Sequence, residues 1–323
     1  MPSIAITIDS RCNARCAHCC FSCSPRSEDR LSDDRIRALV AEALDSKDVD
    51  EVGLSGGEAL LRPDLVFEII RAVSGAGKRS TLVTNGFWGQ TPASARSQLE
   101  RLRSAGLSSM TVSYDDFHAA FVPVRRIRNI LDANKHVELP CMLNLAVTRT
   151  HTADALLAEL GESVLRTRVT KFPVLPVGAA QSLHPDEIIR DYEVGDELRC
   201  PGFEPVFHFD GQVYPCCSPA VFGSALRLGD VDEVDIAEAQ RKIRHNRLLA
   251  VIRRFGFEPL LRACRERGIA VPEPGVALVD ACDLCRRLFR DEASLGGVAE
   301  LIPDLYRELS GSSTRPSDEG TVL

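Results

Sequence analysis

Clustered cysteines dominate the chemistry open to this chain. Cys12-Asn13-Ala14-Arg15-Cys16-Ala17-His18-Cys19 follows directly on a short β-branched run, Ile4-Ala5-Ile6-Thr7-Ile8. Three soft thiolates at C-x3-C-x2-C spacing can hold three irons of a cubane 4Fe–4S cluster, whereas a closed cluster uses four. The fourth iron then stays open to a small chelating ligand. A zinc site completed by His18, Cys20 or Cys23 satisfies the same donors. A second set lies far downstream, in Cys200-Pro201-Gly202, Tyr214-Pro215-Cys216-Cys217 and Cys282-Asp283-Leu284-Cys285. These can bring four thiolates to one closed site, for zinc or for a second 4Fe–4S cluster. Neighbouring side chains on an extended strand point to opposite faces, so Cys216 and Cys217 should not serve the same site. Cys264 sits in a helical run and reads as core, and Cys20 and Cys23 as packing near the first motif.

Composition supports metal ligation over disulfides. The chain holds 12 cysteines in 323 residues, and five of them fall between Cys12 and Cys23. Its opening residues are too short for a signal peptide, and no apolar stretch reaches the roughly 18 to 20 residues that cross a bilayer. A cytoplasmic protein without membrane attachment is expected, and there thiols stay reduced. The 44% hydrophobic and 26% charged residues are ordinary for a globular chain with a real core. A formal net charge of −7 argues against a nucleic-acid binder and leaves a basic peptide open as substrate.

The first half alternates strand and helix patterns. After Ile4–Ile8, Ser32 reads as an N-cap before the helical spacing of Ile36, Leu39, Val40, Ala43 and Leu44. Strands are expected at Val52–Leu54, Ser80–Thr84, Met110–Ser113, Met142–Val147 and Arg168–Phe172. Pro63 should open a helix, and further helices should fill 92–106, 123–136 and 152–160. Repeated β–α units give an α/β fold with parallel strands, as a barrel or a doubly wound sheet, and place function at the C-terminal strand ends. Past residue 195, Phe207–Tyr214 reads as a β-hairpin with Asp210-Gly211 at its turn. Helices near 233–254, 257–267 and 293–309 follow. The expected division is 1–195, 196–309 and a disordered tail at 310–323.

Leu54-Ser55-Gly56-Gly57-Glu58, at this distance after the C-x3-C-x2-C motif, resembles the radical S-adenosylmethionine (SAM) superfamily over residues 3–180. The resemblance implies a partial (β/α)6 barrel and a SAM-binding 4Fe–4S cluster on Cys12, Cys16 and Cys19. It implies that Gly56, Gly57 and Glu58 bind the SAM amino group. Asn85, Ser113 and Asn144 occupy strand-end places that commonly hold its carboxylate and ribose. His18 stands where the family has an aromatic residue, with adenine stacking as its implied role. The downstream cysteines resemble those of a smaller twitch/SPASM-like domain. That likeness implies one auxiliary 4Fe–4S cluster on Cys200, Cys216, Cys282 and Cys285.

Longer stretches narrow the resemblance. Phe21-Ser22-Cys23-Ser24-Pro25, Thr84–Gly89, Ser113–His118, Thr170–Pro173 and Tyr214–Pro219 are similar to the radical SAM peptide epimerases of epipeptide biosynthesis, up to Phe289. That likeness implies conversion of L- to D-residues in a ribosomally synthesised precursor peptide. A 5′-deoxyadenosyl radical would remove the Cα hydrogen, and Cys217 would return one from the opposite face. The family carboxylate after Cys-Pro-Gly is Glu204 here, where an Asp is found in the type it resembles. The implied partners are the precursor peptide and an electron donor such as flavodoxin or ferredoxin, with no nucleic acid and no membrane. The alternatives are a radical SAM cyclase forming thioether or carbon–carbon crosslinks, and a non-catalytic iron–sulfur or zinc binding protein.

Overall fold

The computed structural model describes residues 3–311. Six strands, β1 (Ser3–Thr7), β2 (Glu51–Ser55), β3 (Arg79–Thr84), β4 (Ser109–Ser113), β5 (Cys141–Val147) and β6 (Arg168–Pro173), lie side by side in chain order. Every pairing among them is parallel. Helices α1 (Asp33–Asp45), α2 (Pro63–Gly75), α3 (Pro92–Ala105), α4 (Asp116–Ala119), α5 (Val124–Val137) and α6 (Asp154–Leu160) fill the connections. The expected α/β architecture is therefore present, and its helix starts follow local chemistry. Ser32 caps α1 by accepting from the Arg35 N–H, Pro63 opens α2, and Thr91 with Ser94 forms a capping box for α3. Ile4, Ile6, Val52, Leu54, Val112 and Leu143 are fully buried and join the helix faces in one core.

β1 does not leave its outer edge open. β8 (Val206–Phe207) pairs with it in parallel, Ala5 opposite Val206 and Ile6 opposite Phe207. The Asp210–Gly211 turn then returns the chain as β9 (Gln212–Tyr214), as the sequence predicts. Gly211 has φ 85°, which favours glycine at this corner. β10 (Gly229–Asp230) completes a nine-stranded sheet in the order β10-β9-β8-β1-β2-β3-β4-β5-β6. Covering β1 removes a row of unpaired backbone groups and fixes the hairpin beside the Cys12–Cys19 loop.

α7 (Ile236–His245) packs its buried Ile236 and Ala239 into the first core, while a second core begins at Val194 and packs α8 (Arg247–Arg254), α9 (Glu258–Glu266), α10 (Ala281–Leu288), α11 (Glu292–Ala299) and α12 (Ile302–Gly311). β7 (Tyr192–Glu193) pairs antiparallel with β11 (Ala277–Leu278) at its edge. The helix expected over 233–254 is broken in two, because Asn246 ends α7 and caps α8 by accepting from the Leu249 N–H at 3.1 Å. α10, which carries Cys282 and Cys285, has no counterpart in the sequence reading. Asp280 caps it, and fully buried Asp283 pairs with Arg286 and Arg287. Ser310 and Gly311 close α12, and residues 312–323 of the expected tail lie outside the described residues. Among the described residues, no helix is long and apolar enough to cross a membrane.

Candidate active site

The C-terminal ends of the parallel strands open into a cavity of about 590 Å3. Cys12, Cys16 and Cys19 line it with His18. Gly56, Gly57, Asn85, Ser113 and Asn144 come to the same cavity from the ends of β2 to β5. Its other wall holds Cys200, Cys216, Cys217, Cys282 and Cys285. Two cysteine sets about 180 residues apart in sequence thus face one space. Glu58 and Glu204 stand behind the lining.

The loop that carries the first three cysteines is tied down at each end. Cys12 Sγ accepts from the Ala14 N–H at 3.4 Å and from Asn85 Nδ2 at 3.6 Å. Cys19 Sγ accepts from the Cys23 N–H at 3.3 Å. The Cys23 thiol also donates to Cys19 and, with that N–H, holds the Cys19 thiol down at about 6. Burial pushes Cys12 up to about 11 and Cys16 up further. Such sulfurs are costly as bare thiolates, and a bound cation removes the cost. Sequence reasoning gave Cys23 packing or a place in a zinc site, and the structure makes it a direct partner of Cys19. The spacing of four between them fits one turn around the loop.

Two glycine contacts hold the loop in register. A Cβ on Gly57 would meet the Arg11 carbonyl oxygen at 2.3 Å, and the Gly57 N–H donates to the Asp9 carbonyl at 2.7 Å. On the opposite side Gly178, with φ +56°, leaves no room for a Cβ beside the Cys20 carbonyl, 2.3 Å away. The adjacent Ala179 N–H donates to the Cys19 carbonyl at 2.9 Å.

Glu58 is 2% exposed and accepts from the Asn85 N–H at 2.7 Å, Thr84 Oγ1 at 2.9 Å and the Leu60 N–H at 3.1 Å. Burial pushes its carboxyl up to about 7 against these bonds. It braces Asn85, whose amide then reaches Cys12 and, at 2.8 Å, Asn13. Ser113 and Asn144 are register partners on β4 and β5, and Asn144 accepts a hydrogen bond from Thr170.

Sequence reasoning gave no role to Asp115, which organises the His18 side. It is 1% exposed, caps α4 through the Phe117 and His118 N–H groups, and accepts from the Ala146 N–H at 3.2 Å. His118 Nδ1 lies 2.9 Å from one oxygen and His18 Nε2 lies 3.3 Å from the other. Burial alone would raise the carboxyl, but these histidines hold it well below the usual carboxylate range. His18 stacks on Phe117 with ring centroids 4.6 Å apart. Its Nδ1 is buried and, among the described residues, without a hydrogen-bond partner.

On the second wall, Cys200, Cys216, Cys282 and Cys285 are electrostatic neighbours of one another. Cys282 and Cys285 share one face of α10 at i, i+3 spacing. Cys217, next to Cys216 in the chain, hydrogen-bonds Glu204. Glu204 in turn accepts from Ser3 of β1, and its N–H donates to the Pro215 carbonyl at 2.9 Å. Cys217 is exposed, and local desolvation of its sulfur with the Glu204 charge holds the thiol above its ordinary range. Strand alternation predicted that Cys216 and Cys217 face opposite ways, yet both line the cavity. β9 ends at Tyr214 and the chain bends at 215–216, so alternation no longer applies. The pair still has different partners.

The radical SAM superfamily sequence profile matches residues 6–138. YydG of Bacillus subtilis (strain 168), whose name refers to peptide biosynthesis, is 34% identical over 311 residues, covering 95% of this chain and 98% of that protein. Identity at that level over nearly both full lengths decides the family. This chain belongs to the radical SAM superfamily.

Shorter matches cover part of the chain's length in other proteins. The GTP 3′,8-cyclase of Streptomyces coelicolor is 35% identical over 120 residues, 35% of this chain and 32% of that protein. The solved structure of anSMEcpe with bound AdoMet and Cp18Cys peptide superposes with a TM-score of 0.54 at 13% identity. It covers 96% of this chain and 99% of that one, so the fold extends through the C-terminal helices. Membership in the radical SAM superfamily implies SAM and a 4Fe–4S cluster. The residues present fit both. Three thiols on one loop, two of them receiving N–H···S bonds, suit iron ligation. A glycine wall and the unpartnered His18 Nδ1 leave room and an unmet polar group beside them.

Proposed function

We propose that this chain is a radical SAM peptide epimerase that converts L- to D-residues in a ribosomally made peptide. In this reading residues 1–195 form the partial barrel and 196–309 a twitch/SPASM-like domain. Cys12, Cys16 and Cys19 hold the SAM-binding cluster, and Cys200, Cys216, Cys282 and Cys285 hold an auxiliary 4Fe–4S cluster. When bound, SAM and its cluster supply the 5′-deoxyadenosyl radical that takes the Cα hydrogen atom of an L-residue.

The remaining chemistry belongs to side chains. Gly56 and Gly57 admit the SAM amino group, while Glu58 braces Asn85 against the loop. Ser113 and Asn144 offer polar groups along one wall, and His18, held by Asp115, orders the adenine end. Cys217 donates its thiol hydrogen atom to the planar Cα from the face opposite abstraction, forming a C–H bond and a sulfur radical. L and D centres are nearly equal in energy, so the placement of the two hydrogen-atom exchanges sets the direction. Glu204 orients the thiol.

The observation that carries this reading is the hydrogen bond from the Cys217 thiol to Glu204 at the wall of the cavity. Cys217 lines the cavity, and the Glu204 charge helps hold its thiol above the ordinary range. YydG, with its peptide-biosynthesis name, supports a peptide substrate. The test is anaerobic turnover, in deuterated water, of the peptide encoded by a neighbouring short reading frame. The product should carry one deuterium at Cα, with SAM converted to methionine and 5′-deoxyadenosine. A D-residue without deuterium would sink the Cys217 assignment, because a thiol hydrogen exchanges with solvent. A product lighter by two hydrogens would replace the epimerase reading with a crosslinking cyclase.

A further inference from the structure

Charge is unevenly distributed in this acidic chain. Between Arg241 and Arg267 nine Lys and Arg stand against two Glu, in a protein of formal net charge −7. Arg241, Lys242 and Arg265 pair with Glu238 or Glu258 on their own helices. Arg253 and Arg254 are exposed, as is Arg199, and among the described residues none of the three has a carboxylate partner.

These three arginines gather at the C-terminal end of α8. The Arg199 guanidinium donates to the Arg254 carbonyl at 2.8 Å. Arg253 lies over the Phe203 ring at 5.9 Å, and Arg254 over Phe255 at 5.2 Å. A helix C-terminus favours cations, which keeps the cluster stable without counter-charges. Behind it runs the cysteine segment, for the Cys200 N–H donates to the Ile252 carbonyl at 3.0 Å. Leu249 and Ile252 of α8 face the cavity that Cys200 lines, while Arg253 and Arg254 face solvent. The arginine surface lies close to the four-thiol group, since Arg253 is an electrostatic neighbour of Cys200 and covers Phe203 of the cavity wall.

We propose that Arg199, Arg253 and Arg254 form the docking surface for an acidic one-electron carrier protein of the flavodoxin or ferredoxin class. The inference rests on the roles given above to Cys217 and to the four-thiol site. Each hydrogen atom donated leaves Cys217 as a sulfur radical, and restoring the thiol takes one electron and one proton. The reduced carrier gives up that electron and is itself oxidised by one electron, while solvent supplies the proton. A basic surface on an otherwise acidic protein selects and orients an acidic partner and raises its rate of encounter. Small, transient contacts are usual between redox proteins, and a few unpaired arginines suit that scale. Leu249 and Ile252, on the cavity side of α8, stand between a docked partner and the cavity.

The test titrates the cluster-loaded enzyme with a purified bacterial flavodoxin, read by flavin fluorescence at low and high salt. Arg199→Glu/Arg254→Glu should weaken binding by at least about tenfold, and Arg199→Gln/Arg254→Gln by about threefold. Salt should weaken binding to the unaltered enzyme far more than to the charge-reversed one. In both variants dithionite-driven formation of 5′-deoxyadenosine should match the unaltered enzyme, because dithionite needs no docking. Multiple turnover with flavodoxin should fall with the affinity. Flavodoxin affinity unchanged in the charge-reversed enzyme, or insensitive to salt, would overturn the proposal. If the charge-reversed protein misfolds, the glutamine variant decides by the same affinity readout. Absence of D-product with dithionite in the unaltered enzyme would instead sink the epimerase reading and leave the docking surface to its own binding result.

Discussion

His18 Nε2 lies 3.3 Å from the Asp115 carboxylate, which joins the cysteine loop to the end of β4. The same carboxylate holds His118, so removing its charge loosens both rings. Asp115→Asn should lower stability by about 2 kcal/mol or more, since hydrogen bonds to charged groups are the stronger kind. The affinity of this variant for SAM should fall about tenfold, equivalent to roughly 1.4 kcal/mol. Urea unfolding and equilibrium dialysis with labelled SAM measure the two effects. Unchanged SAM affinity would leave the pair a purely structural tie.

Cys217→Ala and Cys217→Ser should both abolish the D-product. Cleavage of SAM should continue within about twofold of the unaltered rate, because Cys217 acts after hydrogen abstraction. Glu204→Gln keeps a hydrogen-bond acceptor and removes the charge that helps raise the thiol. It should slow epimer formation while leaving SAM cleavage intact. Chiral amino-acid analysis beside 5′-deoxyadenosine release separates the two steps.

Buried Glu58 gives the protein a pH dependence of known sign. Its folded pKa of about 7 stands above the ordinary 4.5. Its contribution is therefore complete below about pH 4.5 and is lost as pH rises through 7. The loss amounts to about 3 kcal/mol, because each tenfold change in proton affinity is worth roughly 1.4 kcal/mol. Glu58→Gln cannot ionise and should flatten this slope between pH 5 and 8, whatever its absolute stability. Urea midpoints at several pH values test the slope, and an unchanged slope would reject Glu58 as its source.

Gly178→Ala should displace the cysteine loop. The new Cβ would approach the Cys20 carbonyl at a position that already needs φ +56°. A cost of about 1–3 kcal/mol follows from the strained backbone alone. Iron content and visible absorbance after reconstitution should fall. Gly275→Ala, also at positive φ but with open space around it, serves as a control for backbone strain without the clash.

Cys282→Ala should remove one cluster and leave the other. Iron should drop from about eight to about four atoms per chain if each site holds a four-iron cluster. Cys264→Ala should keep the full iron content, because Cys264 is wholly buried in the second core, away from the cavity that Cys282 and the other candidate ligands line. An unchanged iron count in Cys282→Ala would remove Cys282 from the ligand set.

Much of the scaffold is legible from local chemistry. Ser32, Pro63 and the Asp210–Gly211 turn each fix a boundary through a cap, a ring constraint or a backbone conformation supplied nearby. α10 was not legible, because its Asp280 cap and two buried leucines make a short pattern interrupted by cysteines. The break at Asn246 was hidden for the opposite reason. Apolar spacing continues across it, and only the side-chain bond to the Leu249 N–H ends one helix and begins the next.

The candidate site divides along the same line. Spacing alone made Cys12, Cys16 and Cys19 candidate ligands, since three thiols within eight residues are close in any fold of that loop. The family resemblance singled out Gly56 and Gly57. Only tertiary structure brought Cys200, Cys216, Cys282 and Cys285 together and gave Cys217 a separate partner in Glu204. It likewise turned Glu58 towards Asn85 and made Asp115 the anchor of His18 and His118. Local sequence sets bond geometry over a few residues. Partners tens or hundreds of residues apart meet only where the sheet order and the two cores bring them together.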